Sequence, residues 1–137
     1  MTTDASARHT LRAQPSAPAE ARRWLRRAPL HLDEETNSDL MVIATELVTN
    51  AVRHADPLPG GVIELSYRLT PEAIAVSVTD GGSPHRPAVR SIDLSSPGGR
   101  GLYLVSQLAD SWHTSTNVDG THFIQATLRL SRPAATP

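Results

Sequence analysis

Two stretches of the chain alternate apolar and polar residues with a period of two. The first sets Ile63, Leu65, Tyr67 and Leu69 against Val62, Glu64, Ser66 and Arg68, and the second carries Ile74, Val76 and Val78. A Thr70-Pro71 turn lies between them, so the pattern predicts an antiparallel hairpin. Two further strands are expected at Ser111–Asn117 and Thr121–Leu130, turning at Val118-Asp119-Gly120, with His9–Ala13 as a shorter candidate.

A different period governs Leu40–Ala55. Wound at about 100° per residue, this segment gathers Leu40, Ala44, Leu47, Val48, Ala51 and Ala55 on one face, with Glu46, Thr49, Asn50 and Arg53 opposite. Asp33 to Asn37 supplies N-capping side chains and first-turn acids, and Asp56-Pro57 ends the helix near His54 or Ala55. Shorter helices are expected at Ala19–Ala28, between a Pro15–Pro18 turn and Pro29, and at Gly101–Ala109. From Gly81 to Gly99 periodicity is lost and Gly and Pro accumulate, which predicts a long loop of the kind that carries function. The element order gives an α/β (α+β) two-layer sandwich, a mostly antiparallel sheet with helices on one face. No βαβ alternation supports a dinucleotide-binding sheet.

Composition narrows the chemistry. At 137 residues and 39% hydrophobic, the chain is sized for one domain, expected over residues 8–130 with flexible termini at 1–7 and 131–137. Without cysteine there is no thiol catalysis, zinc–thiolate site or disulfide. With no apolar run near the ~20 residues of a spanning helix and no leader-like start, a cytoplasmic location is expected. A formal charge of −1 argues against direct contact with nucleic acid or an anionic membrane. All 13 basic residues are arginine, so a P-loop, which needs a lysine at the terminal phosphates, is excluded. No two histidines take His-x-x-x-His spacing, and His31, His85, His113 and His122 read as surface or structural.

Three constellations remain, each with a plain alternative. Glu46 and Asn50 stand at i and i+4, one turn apart, and can present a carboxylate and an amide oxygen to one ligand; the same spacing is ordinary on a solvated helix face. Asp80 shares the parity of Ile74, Val76 and Val78, which points a carboxylate to the covered side of the sheet; it is equally a turn aspartate capping its own Gly81-Gly82 bend. Gly98-Gly99-Arg100-Gly101-Leu102 opens a helix, where backbone N–H groups suit an anion and Arg100 adds a forked donor, or where glycines simply link. Arg22, Arg23, Arg26 and Arg27 form either a dock for an acidic partner or a solvated face. His54 borders the polar face of the long helix, and Trp24 and Trp112 read as core or interface aromatics.

Taken together, these segments resemble the GHKL (histidine-kinase-like) ATPases with their Bergerat-type fold. Glu46 to His54 is similar to the N box of that family, Asp80-Gly81-Gly82 to its first glycine box, Gly98 to Leu102 to its second, and Gly120-Thr121 to a late glycine-threonine element. The short members most alike are anti-sigma-factor serine/threonine kinases. That resemblance implies ATP and Mg2+, with Glu46 as general base, Asn50 as magnesium ligand and Asp80 as adenine reader. It sets Gly82 under the base and Gly99 and Gly101 at the phosphates, with Arg100, Leu102 and Thr121 in the same nucleotide-binding elements. The implied partners are a sigma factor and an antagonist protein, with a homodimer across the uncovered sheet face as a further expectation. One departure is Ser83-Pro84, where the family continues to another glycine; Pro84 fixes φ and removes a donor at the hinge of the expected lid. It makes a non-catalytic, nucleotide-sensing interaction module the alternative.

Overall fold

The computed structural model describes residues 4–82 and 97–130, and of residues 97–101 the backbone alone. Strand β1 (Ala5–Arg12) leads into helices α1 (Ala17–Arg27) and α2 (Glu34–His54). The hairpin β2 (Val62–Leu69) and β3 (Ala73–Asp80) follows, then α3 (Pro97–Leu108) and the hairpin β4 (Ser111–Thr116) and β5 (His122–Arg129). The five strands form one antiparallel sheet in the order β1-β2-β3-β5-β4. All three helices pack against one another or the covered face, so the two-layer α+β sandwich holds.

Strand parity decides the layers. Ile63, Leu65 and Tyr67 of β2, Ile74, Val76 and Val78 of β3, and Ile124, Ala126 and Leu128 of β5 are buried against the helices. The intervening positions form a polar open face, where the hydroxyls of Ser66 and Ser77 share a 2.7 Å hydrogen bond across β2 and β3. Leu40, Ile43, Ala44, Leu47, Val48 and Ala51 supply the apolar stripe of α2, every one of them at most 2% exposed. Ala17, Ala21 and Leu25 do the same for α1 at a spacing of four.

The ends of the elements follow their chemistry. Asp33 caps α2, its carboxylate accepting the Thr36 N–H at 2.7 Å, while Glu34 and Glu35 stand in the first turn and Arg53 and His54 in the last. Strand β1 begins at Ala5, earlier than the expected His9, because the whole run from Ala5 to Arg12 pairs with β2 from Leu69 back to Val62. Helix α3 begins at Pro97, not at Gly101, so the glycine run lies inside its first turns; proline suits a first helical position, where its missing N–H has no partner to lose. Arg22 is half-buried and donates to the Thr45 hydroxyl at 2.9 Å, joining α1 to α2, whereas Arg23, Arg26 and Arg27 are exposed. Trp24 stacks on His9 at 5.2 Å and leans on Tyr67 at 5.4 Å, closing the core beneath β1. No helix of the described residues is long and apolar enough to cross a membrane.

Candidate functional site

Asp80 ends β3 on the covered side, 1% exposed, as its parity requires. It also caps its own bend: Oδ1 accepts the Gly82 N–H at 2.7 Å. Burial and capping therefore hold at once, and a second group joins them. His122 lies directly across the β3–β5 pair, 6% exposed, with Nδ1 3.5 Å from Asp80 Oδ2 and Nε2 hydrogen-bonded to the Thr114 hydroxyl on β4. Neither histidine count nor spacing marks His122 out. Its signal is parity, since it falls on the same side of β5 as Ile124, Ala126 and Leu128.

The two glycines after Asp80 are held by neighbouring backbone. A Cβ on Gly81 would stand 2.2 Å from the Pro57 carbonyl oxygen, in the segment that leaves α2. Gly81 N–H donates to the Asp56 carbonyl at 2.7 Å, and Asp56 N–H donates to the Gly82 carbonyl at 2.9 Å. Gly82 takes φ +76°, and a Cβ there would meet the Gly120 carbonyl oxygen at 2.2 Å. The end of β3 is thus clamped between the exit of α2 and the turn joining β4 to β5, which brings three distant parts of the chain to one place.

Helix α2 packs on β3 and α3. Glu46 and Asn50 sit one turn apart on it, both partly buried, in its C-terminal half and on the approach to the Asp56–Gly82 clamp; Arg53 and His54 beyond them are exposed. Leu102 is partly buried and packs against the core. Gly98, Gly99 and Gly101 lie on the N-terminal turns of α3, where the first amides have no intrahelical acceptor. The side chain of Arg100, and Ser83 and Pro84 with the rest of the expected lid through Ser96, lie outside the described residues.

Thr121 is placed differently from Asp80. Its hydroxyl donates to Asp119 Oδ1 at 2.7 Å and accepts from Asn117 Nδ2 at 2.8 Å, while its N–H donates to the same Asp119 oxygen at 2.9 Å. These bonds close the β4–β5 turn and hold the Asp119 carboxyl below its usual range, the Thr121 hydroxyl contributing most. His122, one residue on, is the side chain of this element that reaches Asp80.

A buried acid at a strand end, an acid–amide pair on the adjoining helix and a glycine-rich helix start are groups of the kind that bind a nucleotide without a P-loop. The family comparison agrees: residues 11–127 match the model of the histidine kinase-like ATPase domain. The chain belongs to that family, and it is an ATP-binding domain of the GHKL type. No curated protein matches the sequence closely enough to add a relative.

Proposed function

We propose that this ATP-binding domain is a magnesium-dependent protein serine/threonine kinase of the anti-sigma-factor type, which binds a sigma factor and phosphorylates its antagonist protein. The observation that carries the catalytic part is the partly buried Glu46–Asn50 pair on α2, one turn apart on the helix whose exit is hydrogen-bonded to the Asp80–Gly82 bend. Asp80 accepts the adenine amino group. First-turn amides of α3 receive the phosphates. Glu46, placed for acid–base work, accepts the proton of the substrate hydroxyl as that oxygen bonds to the γ-phosphorus and the bond from phosphorus to the β–γ bridging oxygen breaks, releasing ADP.

Magnesium fits this donor set. No cluster of three or more acidic, histidine or cysteine side chains capable of caging a metal occurs among the described residues. The Asn50 amide oxygen is a hard ligand of the kind this ion takes singly, with phosphate oxygens and water filling the other positions. Bound there, the ion would neutralise charge developing on the phosphates.

Incubation with γ-labelled ATP, magnesium and candidate antagonist proteins is expected to label a serine or threonine. Glu46→Ala is expected to cut the rate by a factor of about 10²–10⁴, the usual worth of a general base, while leaving ATP affinity within a few-fold. Equal labelling by this variant would remove Glu46 from the role.

The Ser83-Pro84 sequence favours a second reading, a non-catalytic module in which nucleotide controls partner binding, because a proline at the start of the lid expected from the sequence would oppose closure more than binding. Nucleotide-dependent capture of a sigma factor with no phosphoprotein formed would select it over the kinase.

A further inference from the structure

Nothing in the proposed phosphoryl transfer uses His122, yet it is buried beside the residue that reads the base. Its ring stands between two polar groups, Asp80 Oδ2 at 3.5 Å from Nδ1 and the Thr114 hydroxyl bonded to Nε2. Which nitrogen of a neutral imidazole carries the proton is set by such neighbours. With its proton on Nδ1, the nitrogen that faces Asp80, a neutral ring has Nε2 as the acceptor and the Thr114 hydroxyl as its donor. On the other side, the Gly82 N–H holds Asp80 Oδ1 at 2.7 Å. Each carboxylate oxygen thus faces a donor fixed by a different element: Oδ1 one from the bend after β3, Oδ2 one from β5 braced by β4.

We propose that His122, braced by Thr114, is a positioning residue that fixes the Asp80 carboxylate and thereby makes the site select 6-amino over 6-oxo purine nucleotides. The proposal rests on the reading of Asp80 as the group that meets the base. Adenine offers its 6-amino hydrogens to a carboxylate, whereas hypoxanthine offers a carbonyl oxygen, so two acceptors face each other. That mismatch is expensive only while the carboxylate stays in place. Without the His122 contact the carboxylate is held less firmly, aiming less well at adenine and yielding more readily to a 6-oxo base; selectivity narrows from both directions. Preorganised polar groups discriminate in this manner where an adaptable site does not.

The test is calorimetric titration of the full chain with ADP and with inosine diphosphate. The wild type is expected to favour ADP by at least about a hundredfold. His122→Leu narrows that ratio by about tenfold, the scale of losing one buried polar contact to the carboxylate. His122→Asn, whose amide N–H falls near the position of Nδ1, keeps the ratio within about threefold of the wild type on the same scale. Thr114→Val keeps His122 but removes its brace and narrows the ratio in the same direction, so it replaces His122→Leu should thermal unfolding show that variant to be unfolded. An unchanged ratio in His122→Leu or, in its place, Thr114→Val, together with a collapsed ratio in Asp80→Asn, overturns the role of His122 and leaves Asp80 as the reader. An unchanged ratio in Asp80→Asn, or a wild type that binds neither nucleotide, overturns both.

Discussion

At the residue scale, the glycines of the Asp80-Gly81-Gly82 bend separate two effects that a single alanine substitution usually mixes. Gly60 takes φ +92° with nothing within 4 Å of the point where a Cβ would stand, so Gly60→Ala adds only left-handed strain, about 1 kcal/mol. Gly82 takes φ +76° and adds a collision with the Gly120 carbonyl, which is backbone and cannot swing aside. Gly82→Ala is expected to cost about 3 kcal/mol or more, to lower the melting temperature well beyond Gly60→Ala, and to weaken ATP binding as the clamp opens. Comparable losses in the two variants, by thermal unfolding, would show that the clamp carries no weight. The sequence marks this bend too, but for a different reason, the approach of a flat base. The neighbours that require glycine, Pro57 and Gly120, are 24 and 38 residues away along the chain (81 − 57 and 120 − 82), and no local pattern connects them.

At the scale of elements, periodicity locates the strands well where one face is apolar and poorly elsewhere. Strand β2 runs from Val62 to Leu69 as expected, and β3 and β5 differ from expectation by a residue or so at their ends, because alternation is forced by burial on one side. In β1, Ala5, Ser6 and Ala7 carry no such signal, and pairing with β2 rather than side-chain burial makes them strand. Glycine's weak helix propensity likewise hides the true start of α3. The N-cap of α2 is legible in the sequence, and it carries a pH-dependent prediction. The Thr36 hydroxyl and, after it, the Thr36 N–H hold the Asp33 carboxyl below its ordinary value of 3.8. A carboxyl depressed on folding contributes stability that is fully present above the unfolded value and lost as pH falls through the folded one. Asp33→Asn keeps an acceptor for the amide but cannot titrate. The wild type is therefore expected to exceed Asp33→Asn in melting temperature by a constant margin from about pH 5 to 7, with the gap closing below about pH 4. A margin that persists at about pH 2.5 would assign the effect to shape, not charge.

At the scale of the molecule, the site exists because the sheet order sets β5 beside β3 and the exit of α2 returns to the end of β3. The burial of Asp80 is recognisable from parity alone, but its pairing with His122 depends on a register between strands separated by the whole of α3 and β4, which no sequence period encodes. A nucleotide bound as proposed, across the clamp, α2 and α3, would tie these parts together and stabilise the fold by linkage. At a concentration of about one hundred times Kd it adds about 2.7 kcal/mol, raising the melting temperature of a domain this size by roughly 10 °C. The division of that shift tests the magnesium assignment. If Asn50 shares the ion with the phosphates, ATP with magnesium raises the midpoint more than ATP with a chelator. Asn50→Ala then removes the difference between the two conditions while keeping the smaller shift that base and phosphate contacts supply. If Asp80 meets the base, Asp80→Asn does the reverse, lowering both shifts together, because that contact does not involve the ion. Thermal unfolding of the three proteins under the two conditions distinguishes the roles; a magnesium-dependent shift that survives Asn50→Ala would move the ion to another ligand.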